Sequence, residues 1–242
     1  MALTKEEQVT LDLLLKKRDG QTKKLVHVIS LLDKSGSMVT GKSRTISAFN
    51  ENAQIMRSEE DENTRVTSTF ITFESSVKVV FAQAGVNRLE PLTDKSFVPS
   101  GGTALYDGIG DALNLALSFE AASDANTSFL LQITTDGEEN ASKRFQPHHL
   151  KSRIEELQKS GRWTITVMGP KGSIDLFAET LGVARGNLAT FDASSVRSRG
   201  FAANATVAST QNYFKSVKSG AGAVMDSYSS IAPSGSVDDP VI

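Results

Sequence analysis

Apolar positions along this chain switch between two periods. Leu25–Leu32 reads LVHVISLL, apolar on both faces, which predicts a fully buried strand. Ser43–Glu59 carries Ile46, Phe49, Ala53 and Met56 at three- and four-residue steps, the stripe of an amphipathic helix. Arg65–Phe73 predicts a strand, Glu74-Ser75-Ser76 turns the chain, and Val77–Phe81 returns as a second strand. So short a connection makes an antiparallel hairpin, placed most simply at the edge of an otherwise parallel sheet. Residues 84–102, with Pro91, Pro99, Gly101 and Gly102, read as loop. Ala104–Ala121 predicts a helix, with Leu105, Ile109, Ala112, Leu113, Ala116 and Leu117 on one face. Ser128–Ile133 is a buried strand, His149–Lys159 a helix and Trp163–Met168 a strand. A short helix capped by Ser173 and stopped by Gly182, a strand at Leu188–Phe191 and a long helix over Val196–Val217 complete the series. Strands alternating with helices predict an α/β domain of three layers. Its Rossmann-like, doubly wound sheet is mostly parallel with one antiparallel edge strand.

The two ends depart from this rhythm. Residues 1–22 are expected to form an N-terminal helical extension. Thr4 can cap it, Glu6 and Glu7 suit its first turn, and Lys16, Lys17 and Arg18 its last. Its stripe of Val9, Leu13 and Leu14 would pack beside the sheet or dock a partner. Residues 218–242 are rich in Ser, Gly, Ala and Asp, the composition of a flexible or docking tail. Residues 24–217 form the domain between them.

Composition narrows the function classes. The chain has 242 residues, 39% hydrophobic and 22% charged, which fits one globular domain plus tails. A net charge of −2 without a long basic run argues against a nucleic-acid partner. The absence of cysteine excludes disulfides and thiolate metal sites. No apolar run reaches membrane-spanning length, so no membrane partner is expected. The expected setting is the cytoplasm, or a phage particle assembled there. Of three histidines, His148 and His149 are adjacent and His27 sits inside the first strand as a core or edge histidine, so a zinc site is not expected.

The candidate chemistry gathers where strands end. A bare carboxylate is costly to bury, so the first strand stops at Asp33. Asp33, Ser35 and Ser37 then occupy a loop at the carboxyl end of a central strand, the edge where open α/β sheets bind ligands. Three oxygen side chains in five residues, with Gly36 allowing a tight turn, suit a hard cation. A solvated turn with a helix cap accounts for the same residues. Asp136 ends the Ser128–Ile133 strand as Asp33 ends the first. Two such carboxylates about 5 Å apart repel by about 3 kcal/mol at an effective dielectric near 20, a cost that a divalent cation removes. Thr103, after Gly101-Gly102, either caps the helix that follows or presents its hydroxyl beside both aspartates.

A rival motif overlaps this stretch. Gly36–Ser43, GSMVTGKS, fits the phosphate-binding loop pattern G-x-x-x-x-G-K-[ST] between a strand and a helix, which would make the chain a nucleotide hydrolase. Against it, Asp33-Lys34-Ser35 separate the strand from the first glycine, and Asp33 would repel phosphate. A phosphatase using Asp33 as nucleophile needs a carboxylate two residues on, where Ser35 stands. Lys42 is then a solvated residue near the helix start. Glu138, Glu139 and Asn140 read as a solvated loop that could tune metal affinity or partner choice. Asp107 and Asp111 read as acids suited to a helix dipole. No Ser-His-Asp or Cys-His arrangement is suggested, and the chain is not expected to be an enzyme.

DKSGS, then GGT, then TTDG resembles the von Willebrand factor A domain over roughly residues 24–217. TALYDGIGDAL and TTDGEEN, with GRWTITVMG and GNLATFDA later, are similar to a bacterial and phage subgroup of small soluble members. The resemblance implies a metal-ion-dependent adhesion site. Ser35 and Ser37 would ligate Mg²⁺ (or Mn²⁺) through their hydroxyls. Asp33 and Asp136 would hold it mainly through water, and Thr103 directly in one state and through water in another. Water, or a Glu or Asp of a partner protein, would fill the remaining position. The expected function is a metal-dependent protein-binding module. The alternatives are a structural subunit of a phage particle or bacterial assembly, which would self-assemble or join a large complex, and the nucleotide hydrolase.

Overall fold

The computed structural model describes residues 23–122, 126–192, 195–223 and 226–228. The helix expected over residues 4–19 and the tail beyond 228 lie outside the described residues. Eleven elements follow in chain order: β1 (Lys24–Asp33), α1 (Lys42–Ser58), β2 (Thr64–Phe73), β3 (Val77–Gly85), α2 (Leu105–Ala122), β4 (Thr127–Thr134), α3 (Pro147–Lys159), β5 (Trp163–Pro170), α4 (Ile174–Leu181), β6 (Leu188–Phe191) and α5 (Val196–Ser219).

They build a six-stranded sheet in the order β3-β2-β1-β4-β5-β6. Every pairing is parallel except β2 with β3, so the antiparallel strand stands at the edge, as the hairpin predicts. β1 lies between β2 and β4 and is buried along nearly its whole length, the reason its sequence is apolar on both faces. Alternate β1 residues feed two cores. Ile29 and Leu31 pack with Leu105, Ile109 and Leu113 of α2 and with α3 and α4. Val26, Val28 and Leu32 pack with Phe49 and Met56 of α1 and Phe214 and Val217 of α5. Phe129 and Trp163 stack between neighbouring strands with centroids 4.5 Å apart. Each fully buried side chain of this size contributes about 1.5–3 kcal/mol.

Two expectations need correction. β3 runs on to Gly85, where a loop is expected, because Ala84 and Gly85 pair with Ser68 and Thr67. The pairing is a backbone property and survives a register shift, with Gln83 at φ 53°. Ser173 stands at the N-cap of α4, yet its hydroxyl donates to the Pro170 carbonyl at 2.8 Å instead of capping the helix. Gly182 does end α4, in the left-handed conformation with φ +68°.

The described part of the tail folds back along the β6 side of the sheet. The Ala223 N–H donates to Gly161, and the Tyr228 N–H to Gly186, each at 2.9 Å. Tyr228 is buried against Ala189 and Ala205.

Candidate metal centre

Asp33 is the last residue of β1, and Asp136 follows β4 by two residues. Because β1 and β4 are parallel neighbours, with Leu32 opposite Thr134, both carboxylates reach the same sheet edge. The sequence from Gly36 to Val39 then makes a 3₁₀ turn that brings Ser37 back toward Asp136. The Ser37 hydroxyl donates to Asp136 Oδ1 at 2.6 Å, and the Ser35 and Ser37 oxygens lie 3.0 Å apart.

Thr103 arrives from a different loop. That loop is stapled to the Asp33 loop by Gly36 N–H to the Gly101 carbonyl at 3.1 Å and Ser100 N–H to the Lys34 carbonyl at 2.9 Å. Gly101 has φ +71°, and a Cβ on it would lie 2.7 Å from the Ser75 hydroxyl, so glycine is required for this approach. The meeting point of the site is marked by Gly137. A Cβ there would lie 3.1 Å from Thr103 Oγ1, 3.3 Å from Ser37 Oγ and 3.8 Å from Ser35 Oγ. The structure thus brings together all five side chains expected at the site: Asp33, Ser35, Ser37, Thr103 and Asp136.

Asp33, Ser35 and Thr103 are buried, whereas Ser37 is exposed and Asp136 half-buried, so the cluster opens to solvent on one side. Asp33 accepts the Ser35 N–H at 2.7 Å and the Thr135 hydroxyl at 2.5 Å. Burial pushes the Asp33 carboxyl above its usual range. The hydrogen bonds from Thr135 and Ser35 oppose that rise, and the Asp136 charge adds to it. This is an acid held at a cost, with neutral hydrogen-bond partners and a like charge nearby. Hydroxyls and carboxylates are the donors that a hard divalent cation takes, and the donor set fits Mg²⁺ or Mn²⁺. Among the described residues no three His, Asp or Glu side chains gather, so the hydroxyls of Ser35, Ser37 and Thr103 must supply donors that carboxylates supply elsewhere.

Thr135 was not singled out from the sequence. Its hydroxyl donates to Asp33 and accepts the Gly137 N–H at 3.3 Å, and a support of that kind carries no spacing signature. Thr103 does not begin the helix, since α2 starts at Leu105. The capping expected of it falls to Glu139, which accepts the Tyr106 N–H at 3.0 Å, and to the Ser142 hydroxyl, which accepts the Asp107 N–H at 3.0 Å. Glu139 and Asn140 are therefore not merely solvated. Glu139 accepts four hydrogen bonds, and Asn140 Oδ1 accepts the Thr103 N–H at 2.9 Å. Asp107 also exceeds a dipole role, because its carboxylate accepts the N–H groups of Lys143, Arg144 and Phe145 at 2.9–3.0 Å. Those bonds, with Arg144 beside it, hold its carboxyl below the usual range against the opposing effect of burial.

The phosphate-loop stretch is engaged internally. The N–H groups of Gly36, Met38 and Gly41 donate to Gly101, Ser35 and Met38 carbonyls. Lys42 is partly exposed and also donates to the Asp94 carbonyl at 2.9 Å, with the Asp94 carboxylate 3.3 Å away.

Fold and site together define an α/β domain that presents an all-oxygen cluster at the carboxyl edge of its central strands. No family model matches the chain, and no curated protein matches it. Among solved structures it is similar to proximal thread matrix protein 1 from the mussel byssus, at TM-score 0.54 and 14% identity over 77% of this chain and 48% of that one. A form of the mussel protein with a zinc-occupied metal-ion-dependent adhesion motif gives TM-score 0.55 and 15% identity over the same shares. The von Willebrand factor domain of the type V pilus tip protein Mfa5 from Porphyromonas gingivalis gives TM-score 0.55 and 13% identity over 82% of this chain and 96% of that one. This chain spans about half the length of the mussel structures. It has the von Willebrand factor A fold.

Proposed function

We propose that this chain is a divalent-metal-dependent protein-binding module, in which a Glu or Asp of a partner completes the coordination of Mg²⁺ (or Mn²⁺). The observation that carries the reading is the convergence of three hydroxyls from two separate loops on Asp33 and Asp136. Ser35, Ser37 and Thr103 would hold the ion, and Asp33 and Asp136 would balance its charge. When bound, the ion supplies a positive point to which a carboxylate can bind. The chain's own work is orientation: Thr135 and the Ser35 N–H aim Asp33, and Ser37 spans the gap to Asp136. The proposal includes no catalytic step. The mussel neighbour with a zinc-occupied motif supports divalent binding on this fold.

A pull-down from a lysate with Mg²⁺, with chelator, and with Asp33→Ala tests it. The reading expects proteins captured only by wild type with metal. Identical capture in all three arms would overturn it.

A second reading, a structural subunit of a phage particle or bacterial assembly, draws support from the pilus-tip neighbour. It uses the same surface and expects self-assembly or co-purification with a large complex. A monodisperse monomer by light scattering argues against it. The nucleotide-hydrolase reading has no such support, since the N–H groups of Gly36, Met38 and Gly41 and the lysine of the stretch are engaged internally.

A further inference from the structure

The loop after Asp136 lies along one face of α2 in register, and it does so one helical turn at a time. At the first contact Asn140 takes both backbone groups of Thr103. Its Oδ1 accepts the Thr103 N–H, and its own N–H donates to the Thr103 carbonyl at 3.0 Å. A turn later Glu139 and Ser142 accept the N–H groups of Tyr106 and Asp107. In return Asp107 accepts three consecutive N–H groups at residues 143–145. At the next turn Phe145 packs where a Cβ on Gly110 would lie 2.4 Å from its ring, and Arg144 pairs with both oxygens of Asp111 at 2.8 Å. Positions 106, 107, 110 and 111 recur at three- and four-residue steps, so they share one helix face, and Thr103 stands just ahead of it. The face is polar because a loop covers it, not because water does.

This loop begins at one metal-centre residue, Asp136, and binds the backbone of another, Thr103. We infer that Glu139 and Asn140 are positioning residues, forming with Asp107 a latch that fixes Thr103 relative to Asp136 before any ion arrives. The inference rests on the metal-binding reading proposed above. The N–H and carbonyl of Thr103 are both held by residues 140 and 141, which fixes the direction of its Cα–Cβ bond, and its Oγ1 lies beside Gly137 together with the Ser37 and Ser35 hydroxyls. A ligand fixed in advance loses little freedom on binding, so the latch raises affinity without touching the ion.

Asn140 is exposed, so its truncation leaves the core alone. Two measurements on the full chain test the latch. The first is amide hydrogen exchange at Thr103 and Tyr106 in metal-stripped protein. The second is calorimetry with Mg²⁺ or Mn²⁺ alone. Asn140→Ala should speed exchange at Thr103 at least tenfold and weaken metal binding roughly 10–100-fold, with the melting temperature shifted by less than about 2 °C. Asn140→Asp, which keeps the acceptor oxygen, should restore slow exchange. Glu139→Gln should speed exchange either at Tyr106 or at Ala141 and Ser142, because both carboxylate oxygens accept N–H groups and an amide has only one oxygen. Gly102→Ala should mimic Asn140→Ala, since its Cβ would lie 2.7 Å from Asn140 Oδ1.

Wild-type exchange at Thr103 in Asn140→Ala overturns the latch. Fast exchange with wild-type affinity overturns the positioning role. If wild type itself binds no metal while Thr103 is protected and Asn140→Ala releases it, the metal-binding reading fails and the latch stands.

Discussion

His27 and Asp33 lie six residues apart on β1, both on the face toward α2, and both are buried completely. Their surroundings differ in kind. His27 sits under the phenyl ring of Phe119, centroids 4.5 Å apart, with Nδ1 2.8 Å from the Thr67 hydroxyl and Nε2 3.0 Å from that of Thr69. Both nitrogens are satisfied, and burial pushes the ring down to about 3, so it stays neutral. Asp33 has its hydrogen bonds too, but it faces a second carboxylate and a group of hydroxyls that opens to solvent. Burial of an ionisable group is therefore not the mark of a site. The mark is a buried charge beside a like charge, with neutral oxygens around both and an open side.

The contrast can be broken at either end. The largest expected effect is at Asp33. Asp33→Ala should weaken Mg²⁺ binding by more than about 100-fold by calorimetry, and retained affinity would place the ion elsewhere. Next comes acid stability. The unfolded chain protonates His27 near its ordinary 6.5, whereas the folded chain resists to about 3. The full contribution is therefore present above pH 6.5 and is lost as pH falls, at about 1.4 kcal/mol per unit, on the order of 5 kcal/mol by pH 3. Urea melts of wild type and His27→Phe should diverge by about 1.4 kcal/mol per pH unit between pH 6.5 and 4, and parallel curves would refute the assignment.

His27→Ala comes third. It leaves a cavity and two hydroxyls short of a partner and should cost about 2–4 kcal/mol at pH 7, with metal affinity unchanged within about twofold. A metal defect in that variant would mean that the two groups are coupled along β1. Lys42→Ala should do least. It removes a partly exposed tie to Asp94, worth less than about 1 kcal/mol, and should leave metal binding intact. Heat released on adding ATP to wild type, and lost in this variant, would revive the phosphate-loop reading.

The sequence brings four of the five candidate side chains to one sheet edge for a physical reason: strand ends follow from hydropathy, so Asp33, Ser35, Ser37 and Asp136 fall at the carboxyl ends of β1 and β4. Thr103 reads equally well as a helix cap, and the ligand set as a whole comes from the resemblance of DKSGS, GGT and TTDG to the von Willebrand factor A motif. The supports were not legible. Thr135, Asp107, Glu139 and Asn140 act on a partner residue or on backbone N–H groups, which any acceptor can bind, so no residue pattern points to their partners. Asp107 and Asp111 suit the helix dipole, yet the loop that uses them comes more than 30 residues later. β3 outran its apolar stretch for a similar reason, since pairing with β2 does not require apolar side chains.

The central claim is that one divalent ion holds these five oxygen-bearing side chains together. The direct measurement is the melting temperature of metal-stripped protein during a Mg²⁺ titration, beside Asp33→Ala. At a hundredfold excess over Kd, wild type should gain roughly 5–10 °C and the variant nothing. Superimposable wild-type curves with and without metal would contradict the account.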